Sequence, residues 1–484
     1  MTDIADTRLG KAVHAAAAGK ANLSGVYALQ FTQEAFAARV LLARAAERSL
    51  DVQYYIWRGD TTGYLLLEEL WDAAERGVWV RLLLDDTGTA GLDPALTALD
   101  SHPNIQIRLF NPFVQRRYKA LGYLTDFRRL NRRMHNKSFT ADSVATIVGG
   151  RNVGDEYFGA GQGVVFADLD VLAVGSIARD VRAAFDNYWN ADTVRGVDLV
   201  VGKTPPGGVS ALRARFAAVR ASAEAVEYVE AVLTTGLVAA LDAQELQLDW
   251  ARVQLLCDPP AKVKGQALDA DLLFAHLRAA LGKPERAIDL VSAYFVPGKK
   301  GTKVLARFAE NGIALRILTN SLAATDVGVV HAGYAKRRKP LLRSGARIYE
   351  LKPDIGDVGR AEGSSQPRHG VGSSSASLHA KTFSIDRARV FVGSFNLDPR
   401  SIRLNTEMGL VIDCVALAEA IANRVDRAAE NASYEVVLAA KGRGLEWVER
   451  TDQGEVRYRT EPKTGLLRRL GISFLALLPI EKML

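Results

Sequence analysis

The stretch Met134–Asn152, MHNKSFTADSVATIVGGRN, returns 244 residues later as Leu378–Asn396, LHAKTFSIDRARVFVGSFN. Identities at the same spacing include His135, Lys137, Asp142, Gly149 and Asn152, which match His379, Lys381, Asp386, Gly393 and Asn396. In each copy a histidine and a lysine two residues apart lead into the alternating apolar pattern of a β-strand, so the pair projects to one face. The glycines allow a close backbone approach near the end of the next strand. The surrounding chain is also written twice. LDVQYYIW at 50–57 is echoed by IDLVSAYFVPG at 288–298, and GVWVRLLLDD at 77–86 by GIALRILTNS at 312–321. The offsets agree: 238 from Asp51 to Asp289, 235 from Arg81 to Arg316 and 244 from His135 to His379. Helical patterns such as TGYLLLEELWDAAERG and GTKVLARFAENG separate the strand-like runs, each closing near a glycine. Strands alternating with helices predict an α/β fold with a sheet covered on both faces, and the repetition predicts two similar halves.

The expected boundaries are an N-terminal extension at 1–24, a first half at 25–198, a linker with a helical segment at 199–251, a second half at 252–435 and a C-terminal tail at 436–484. GKTPPGG opens the linker as a turn, and an Ala-rich helical stretch follows over 209–240. Residues 354–377, rich in Gly and Ser, read as a mobile surface loop just before the second motif.

Hydrophobic residues at 48% and charged residues at 24% exclude a disordered or fibrous chain. Cys257 and Cys414 sit in apolar runs and read as buried, reduced thiols, with no disulfide framework or Cys-rich metal site. A formal charge of +7 favours an anionic partner, either lipid headgroups or nucleic acid. The opening residues lack an apolar h-region, and no run approaches the length of a membrane span, so neither a signal peptide nor a transmembrane helix is expected. Near the C-terminus, Arg468 and Arg469 precede an apolar run over 472–480 broken only by Ser473. That run is too short to cross a bilayer, but it suits a helix lying in the interface with its arginines on anionic headgroups. The other reading is a tail docked on the protein's own core.

The motif residues suit phosphodiester chemistry. With an ordinary pKa near ~6.5, one histidine can be neutral and nucleophilic while the other is protonated and acidic. Lys137, Lys381, Asn152 and Asn396 supply charge and donors for non-bridging phosphate oxygens, which count most where negative charge grows in the transition state. A covalent phosphohistidine divides one difficult displacement into two. Neither a carboxylate cluster of the two-metal kind nor a His/Cys ligand spacing is present, so no metal and no cofactor are expected. Asp142 and Asp386 stand an odd number of residues beyond the lysines, which turns them to the other face of the strand. A structural or helper role therefore stands beside a catalytic one.

These two motifs resemble the HKD signature of the phospholipase D superfamily, His-x-Lys-x4-Asp with a downstream Gly and Asn, and the resemblance extends over roughly residues 30–440. It implies a phospholipase D-like α/β sandwich in each half, a pseudo-twofold between the halves and one shared, metal-free active site. By that pattern His135 is the nucleophile, and His379 is the general acid and later the base. Asp168 in FADLDVLAVG and Glu407 in NTEMGLVI stand where the family places acidic partners that orient the histidines. Several strings are similar to bacterial cardiolipin synthases, especially the C type: LDVQYYIWRGDTTGYLL, RLFNPF, RRMHNKSFTAD, ILTNSLAATDVGVVHAGYAKRRKPLL and GSFNLDPRSIRLNTEMGLVID. That similarity implies transfer of a phosphatidyl group onto phosphatidylglycerol, with phosphatidylethanolamine as donor, by a peripheral protein of the bacterial inner membrane. It also implies a small accessory protein as partner and marks His331 as a candidate headgroup contact. No nucleic-acid partner is expected.

Other synthase types begin with transmembrane helices, which this sequence lacks. Attachment to an anionic membrane surface is then expected from the C-terminal run, or from the basic stretches QRRYKALGYLTDFRRLNRR and YAKRRKPLLRSGAR. Water in place of the lipid alcohol would make the same site a phospholipase D. An open basic groove with stacking aromatics would suit a nuclease. A lipid-binding scaffold without catalysis is disfavoured by intact His, Lys and Asn in both copies.

Overall fold

The first half is threaded by the strands Ser24–Leu29 (β1), Ser49–Ile56 (β2), Trp79–Gly88 (β3), Ile105–Phe110 (β4), Ser138–Ala141 (β5), Ala145–Gly149 (β6), Val165–Ala167 (β7), Asp170–Val174 (β8) and Val194–Gly196 (β9). The second carries Asp249–Cys257 (β10), Ala287–Ser292 (β11), Ala314–Asn320 (β12), Arg347–Leu351 (β13), Ala376–Leu378 (β14), Lys381–Ile385 (β15), Arg389–Gly393 (β16) and Met408–Asp413 (β17). Three more follow: Ser433–Leu438 (β18), Leu445–Thr451 (β19) and Gly454–Tyr458 (β20). The computed structural model describes residues 4–114, 116, 119–161, 165–243, 245–353, 376–440 and 444–477. Most of the Gly- and Ser-rich stretch, 354–375, lies outside the described residues.

The two halves have one plan. In the first, β2, β3 and β4 are parallel, and β5, β6 and β8 continue antiparallel from the other side of β2. In the second, β11, β12 and β13 are parallel, and β15, β16 and β17 continue from β11. The residues that marked the repeat are equivalent partners. Asp51 lies opposite Arg81 and Asp289 opposite Arg316, each pair bridged at 2.6 Å. Strand β1 pairs with β8, β10 with β17, and β1 with β10, so the halves share one 18-stranded sheet. The α/β architecture of two similar halves expected from the repeat is the one observed.

Apolar helix faces close the core. The helices Thr32–Ala45 and Thr61–Glu75 cover the first half, and the linker helices join them: Leu212, Phe216, Tyr228, Val232 and Leu237 belong to the same buried cluster. A separate cluster lies between the halves, packing Val148, Val171 and Val181 against Val390, Leu410, Ile412 and Ile421. Cys414 is in that cluster with its thiol free, and Cys257 is half-buried and also free.

Two expectations need correction. Residues 436–484, expected as a tail, begin inside the sheet: β18 pairs with β13, and the β19–β20 hairpin extends that edge. The helix Leu466–Leu477 then rests on the helix Gly328–Ala335, with Ile472 against Gly328. Among the described residues, no helix is long and apolar enough to cross a membrane. The motif aspartates are the second correction, because they hold the scaffold rather than enter the site. Asp142 occupies a left-handed turn position (φ 49°) at the far end of β5 from His135, and its carboxylate accepts the backbone N–H of Glu47, Arg48 and Ser49. Asp386 (φ 55°) does the same for Glu285, Arg286 and Ala287.

Asp142 is fully buried, and Asp142→Ala strands three N–H donors at the start of β2. The substitution is expected to cost about 2–3 kcal/mol in urea unfolding, while the folded fraction keeps near-normal turnover. A large loss of kcat at unchanged stability would return Asp142 to the chemistry.

Candidate active site

Each motif delivers its residues to the C-terminal end of a central parallel strand. Ser138 lies opposite Gln53 near the end of β2, and Lys381 lies opposite Ser292 at the end of β11. The two ends meet through a crossed exchange of backbone. The His135 N–H donates to the carbonyl of Thr406 at 2.9 Å, and the His379 N–H donates to that of Ala167 at 2.8 Å. The next residues along are Glu407 and Asp168. Their carboxylates therefore reach the histidine of the opposite half: His135 Nδ1 lies 2.8 Å from Glu407 Oε2, and His379 Nδ1 lies 2.6 Å from Asp168 Oδ2. With a carboxylate accepting at Nδ1, that nitrogen carries the hydrogen and Nε2 keeps its lone pair.

Burial sets the protonation states. It pushes His135 down to about 4, with Glu407 opposing that shift and Lys137 adding to it. His379 is likewise lowered, by burial first and then by Lys381. Asp168 and Glu407 stay below the usual carboxylate range despite burial, because basic and hydrogen-bonding neighbours favour their ionised forms: Lys381 and His379 for Asp168, and His135 and Lys137 for Glu407. Both lysines are buried and lowered by loss of hydration. Each curls back on its own motif: Lys137 Nζ donates to the His135 carbonyl at 2.6 Å, and Lys381 Nζ donates to the His379 carbonyl and lies 2.9 Å from its Nδ1.

The asparagines enter just past the second strand after each motif histidine, β6 for Asn152 and β16 for Asn396. Asn152 Oδ1 accepts the Ile56 N–H at 3.1 Å, and its Nδ2 donates to the Tyr157 hydroxyl at 3.0 Å. Nothing among the described residues hydrogen-bonds Asn396 Oδ1, although Asn396 is buried. Tyr55 stands edge-on to His135 at 5.0 Å, and Tyr157 stands at 5.2 Å from His379. Among the described residues no group of three or more His, Cys, Asp or Glu side chains is placed to hold a metal ion.

The structure thus brings together His135, Lys137, Asn152, Asp168, His379, Lys381, Asn396 and Glu407. Asp142 and Asp386 stay outside. His331 is buried with Nε2 3.1 Å from Glu461, a carboxylate that Arg338 also holds at 2.6 Å. Much of the basic charge expected on the surface is likewise spent inside: Arg133 on Asp85, Arg116 on Asp86 and Asp93, Arg338 on Glu350.

Two contributors, Ser394 and Arg151, escaped the sequence reading, and a third, Gly150, was read there only as allowing a close backbone approach. Ser394 donates its hydroxyl to Glu407 Oε2, the oxygen that faces His135. Arg151 donates to the Asp168 carbonyl at 2.7 Å. A side chain at Gly150 would collide with the Asp168 carboxylate, which is why a second glycine follows Gly149. All three lie between the motif glycine and asparagine, so their position in the motif was the available signal. Their targets were not visible.

Known proteins are similar to this chain in sequence and in fold. The family model described as "Cardiolipin synthase, PLD-like domain" matches residues 41–189 and 277–429. The chain belongs to the phospholipase D-like cardiolipin synthase family. It is 47% identical over 461 residues to cardiolipin synthase C of Escherichia coli strain K12, an alignment covering 95% of this chain and 96% of the relative. Cardiolipin synthase A of Pseudomonas syringae pv. syringae strain B728a is 24% identical over 380 residues, 78% of this chain and 63% of that one. The fold is similar to that of the solved phosphatidylserine synthase of Haemophilus influenzae, with a TM-score of 0.60 at 14% identity, over 97% of this chain and 99% of that one. The resemblance read from the two motifs therefore holds at the level of the family, and the chain is an enzyme of the phospholipase D superfamily.

The crossed pairing is testable residue by residue. Glu407→Gln is expected to perturb the imidazole NMR signals of His135, and Asp168→Asn those of His379, with turnover falling on the order of 10²-fold or more in each. Perturbation of the histidine in the same half as the substitution would contradict the crossing.

Proposed function

We propose that the protein makes cardiolipin by transferring a phosphatidyl group, with phosphatidylethanolamine as donor and phosphatidylglycerol as acceptor. The observation that carries this reading is the pair of crossed histidine–carboxylate contacts beside two buried lysines, in a chain of this family. His135 Nε2 attacks the donor phosphorus, and the bond from phosphorus to the headgroup oxygen breaks as His379 gives that oxygen a proton. The product is a phosphatidyl group on His135. His379, now neutral, takes the proton from a hydroxyl of phosphatidylglycerol. The resulting alkoxide displaces Nε2 and releases cardiolipin.

Physical chemistry supports each assignment. A histidine lowered to about 4 stays neutral at pH 7, as a nucleophile must. An anionic phosphodiester in the cleft supplies the negative charge that buried Lys137 and Lys381 lack, so substrate binding favours their ammonium forms and the protonated form of His379. Asn152 and Asn396 serve as donors to the non-bridging oxygens. The site of action is the bacterial inner membrane, with the protein attached peripherally and a small accessory protein as a further partner.

Purified protein on mixed phosphatidylethanolamine and phosphatidylglycerol liposomes is expected to give cardiolipin by lipid mass spectrometry, and His135→Ala to reduce it by roughly 10³-fold or more. Loss of product when phosphatidylethanolamine is omitted identifies the donor. Accumulation of phosphatidic acid would mean that water is the acceptor and the enzyme is a phospholipase D.

The acid limb of kcat/KM should follow the loss of neutral His135, holding as pH falls until about 4. Glu407 raises that pKa, so Glu407→Gln is expected to move the residual limb further toward acid. Movement toward neutral pH would exclude His135 as the group titrating there.

A further inference from the structure

The family reading leaves open how the cleft meets a bilayer, and two surface elements bear on it. The first is the helix Leu466–Leu477, whose inner side rests on the helix Gly328–Ala335 through Ile472. On its outer side Leu467, Leu470, Phe474 and Leu477 are 84%, 56%, 63% and 84% exposed. At ~100° per residue these four fall within an arc of about 80°. The second element is the pair of short helices Lys119–Thr125 and Phe127–Leu130, where Leu124 is 82% and Phe127 54% exposed beside the exposed Arg128. A chain in water gains nothing by presenting such side chains together, so a covering surface is called for.

Both elements sit on the edge of the sheet that opens to the histidines. The paired short helices follow the C-terminal end of β4, and the helix Gly328–Ala335 follows that of β12. The motif residues lie at the C-terminal ends of the neighbouring strands β2 and β11. Side-chain bonds tie each element to the site. Arg400, shortly after Asn396, donates to Asn131 at 2.7 Å, and Arg468 donates to the Thr325 carbonyl at 3.3 Å. The next residue, Asp326, acts electrostatically on Lys381. The same rim carries exposed Lys299 and Lys300, on the turn of helix that follows β11.

Exposed apolar side chains with exposed Arg128, Lys299 and Lys300 on the same rim match the boundary of an anionic bilayer, where the apolar groups enter the acyl region and the cations meet headgroups. We propose that the helix Leu466–Leu477 and the Lys119–Leu130 helices are two feet, one from each half, that seat the protein on an anionic lipid surface with the histidine cleft facing the headgroups. This rests on the phospholipid reading of the site. Two feet, one from each half, fix the tilt of the molecule as well as its attachment, so lipids reach His135 without leaving the membrane.

The test is flotation of the full-length protein with vesicles of phosphatidylcholine, with and without phosphatidylglycerol. Leu470→Glu/Phe474→Glu and Leu124→Glu/Phe127→Glu replace exposed side chains, and matched circular dichroism and melting curves confirm folding. Each double variant is expected to weaken binding to the anionic vesicles at least about tenfold. Turnover of a short-chain phospholipid below its micelle concentration should stay within about twofold, because these residues do not touch the reacting groups. Unchanged vesicle binding in both variants would overturn the proposal. So would a wild-type protein that elutes as a dimer and becomes monomeric in the variants, since the faces would then cover a second copy. If the variants lose vesicle binding but the wild type turns over no phospholipid, docking stands and the proposed reaction fails.

Discussion

Each motif histidine takes its carboxylate from the other half of the molecule. The contacts of 2.8 Å at Glu407 and 2.6 Å at Asp168 exist only if two separately folded repeats stand in one fixed relation. A hydrogen bond weakens steeply beyond its normal length, so even a small slip between the halves would release both imidazoles. Much of the fold serves to prevent that slip. The β1–β10 pairing runs the sheet through both halves, and the cluster around Val148, Val181, Val390 and Ile421 fills the seam with close-packed side chains. The exchange is reinforced at the backbone, where the histidine N–H groups bond to the carbonyls that precede the two acids.

Burial gives this arrangement its chemical character and its cost. Two lysines and two histidines taken from water lose hydration, which disfavours their charged forms. Asp168 and Glu407 offset part of that loss, and in return they are held ionised where burial alone would protonate them. The cleft is thus short of negative charge for the cations it could carry. An anionic phosphodiester completes the balance, and the same deficit favours a transition state with more negative charge still. Around this centre the supports differ between halves. Ser394 donates to Glu407, whereas the equivalent Gly150 only makes room for the shorter Asp168. The twofold plan therefore holds two chemically distinct histidines.

The conserved spacing of the motifs hid two different jobs. His135, Lys137 and Asn152 go to the cleft, while Asp142 goes to a turn and holds three N–H groups of the strand start beside it. Strand alternation had already turned Asp142 and Asp386 away from the lysines, and the positive φ of both residues explains why a short polar side chain stands there. His331 shows the opposite limit. Its surroundings in sequence say nothing of Glu461, which lies 130 residues later and reaches it only because the chain returns after the β19–β20 hairpin.

By itself the sequence determined the duplication, the α/β character of each half and the identities of the His, Lys and Asn that converge. These rest on local periodicity and on spacing, which a linear chain carries explicitly. It also marked Asp168 and Glu407 as partners of the histidines, through resemblance to a family. Only the tertiary structure decided which acid serves which histidine, that the linker helices and the β18–β20 strands complete the two halves, and which arginines look inward. Those outcomes depend on contacts across 12 to 272 residues of chain, such as Arg338 to Glu350, Tyr228 to Phe158 or His135 to Glu407. Side-chain packing at a seam selects such contacts among many of similar local chemistry, and no local pattern in the chain records the choice.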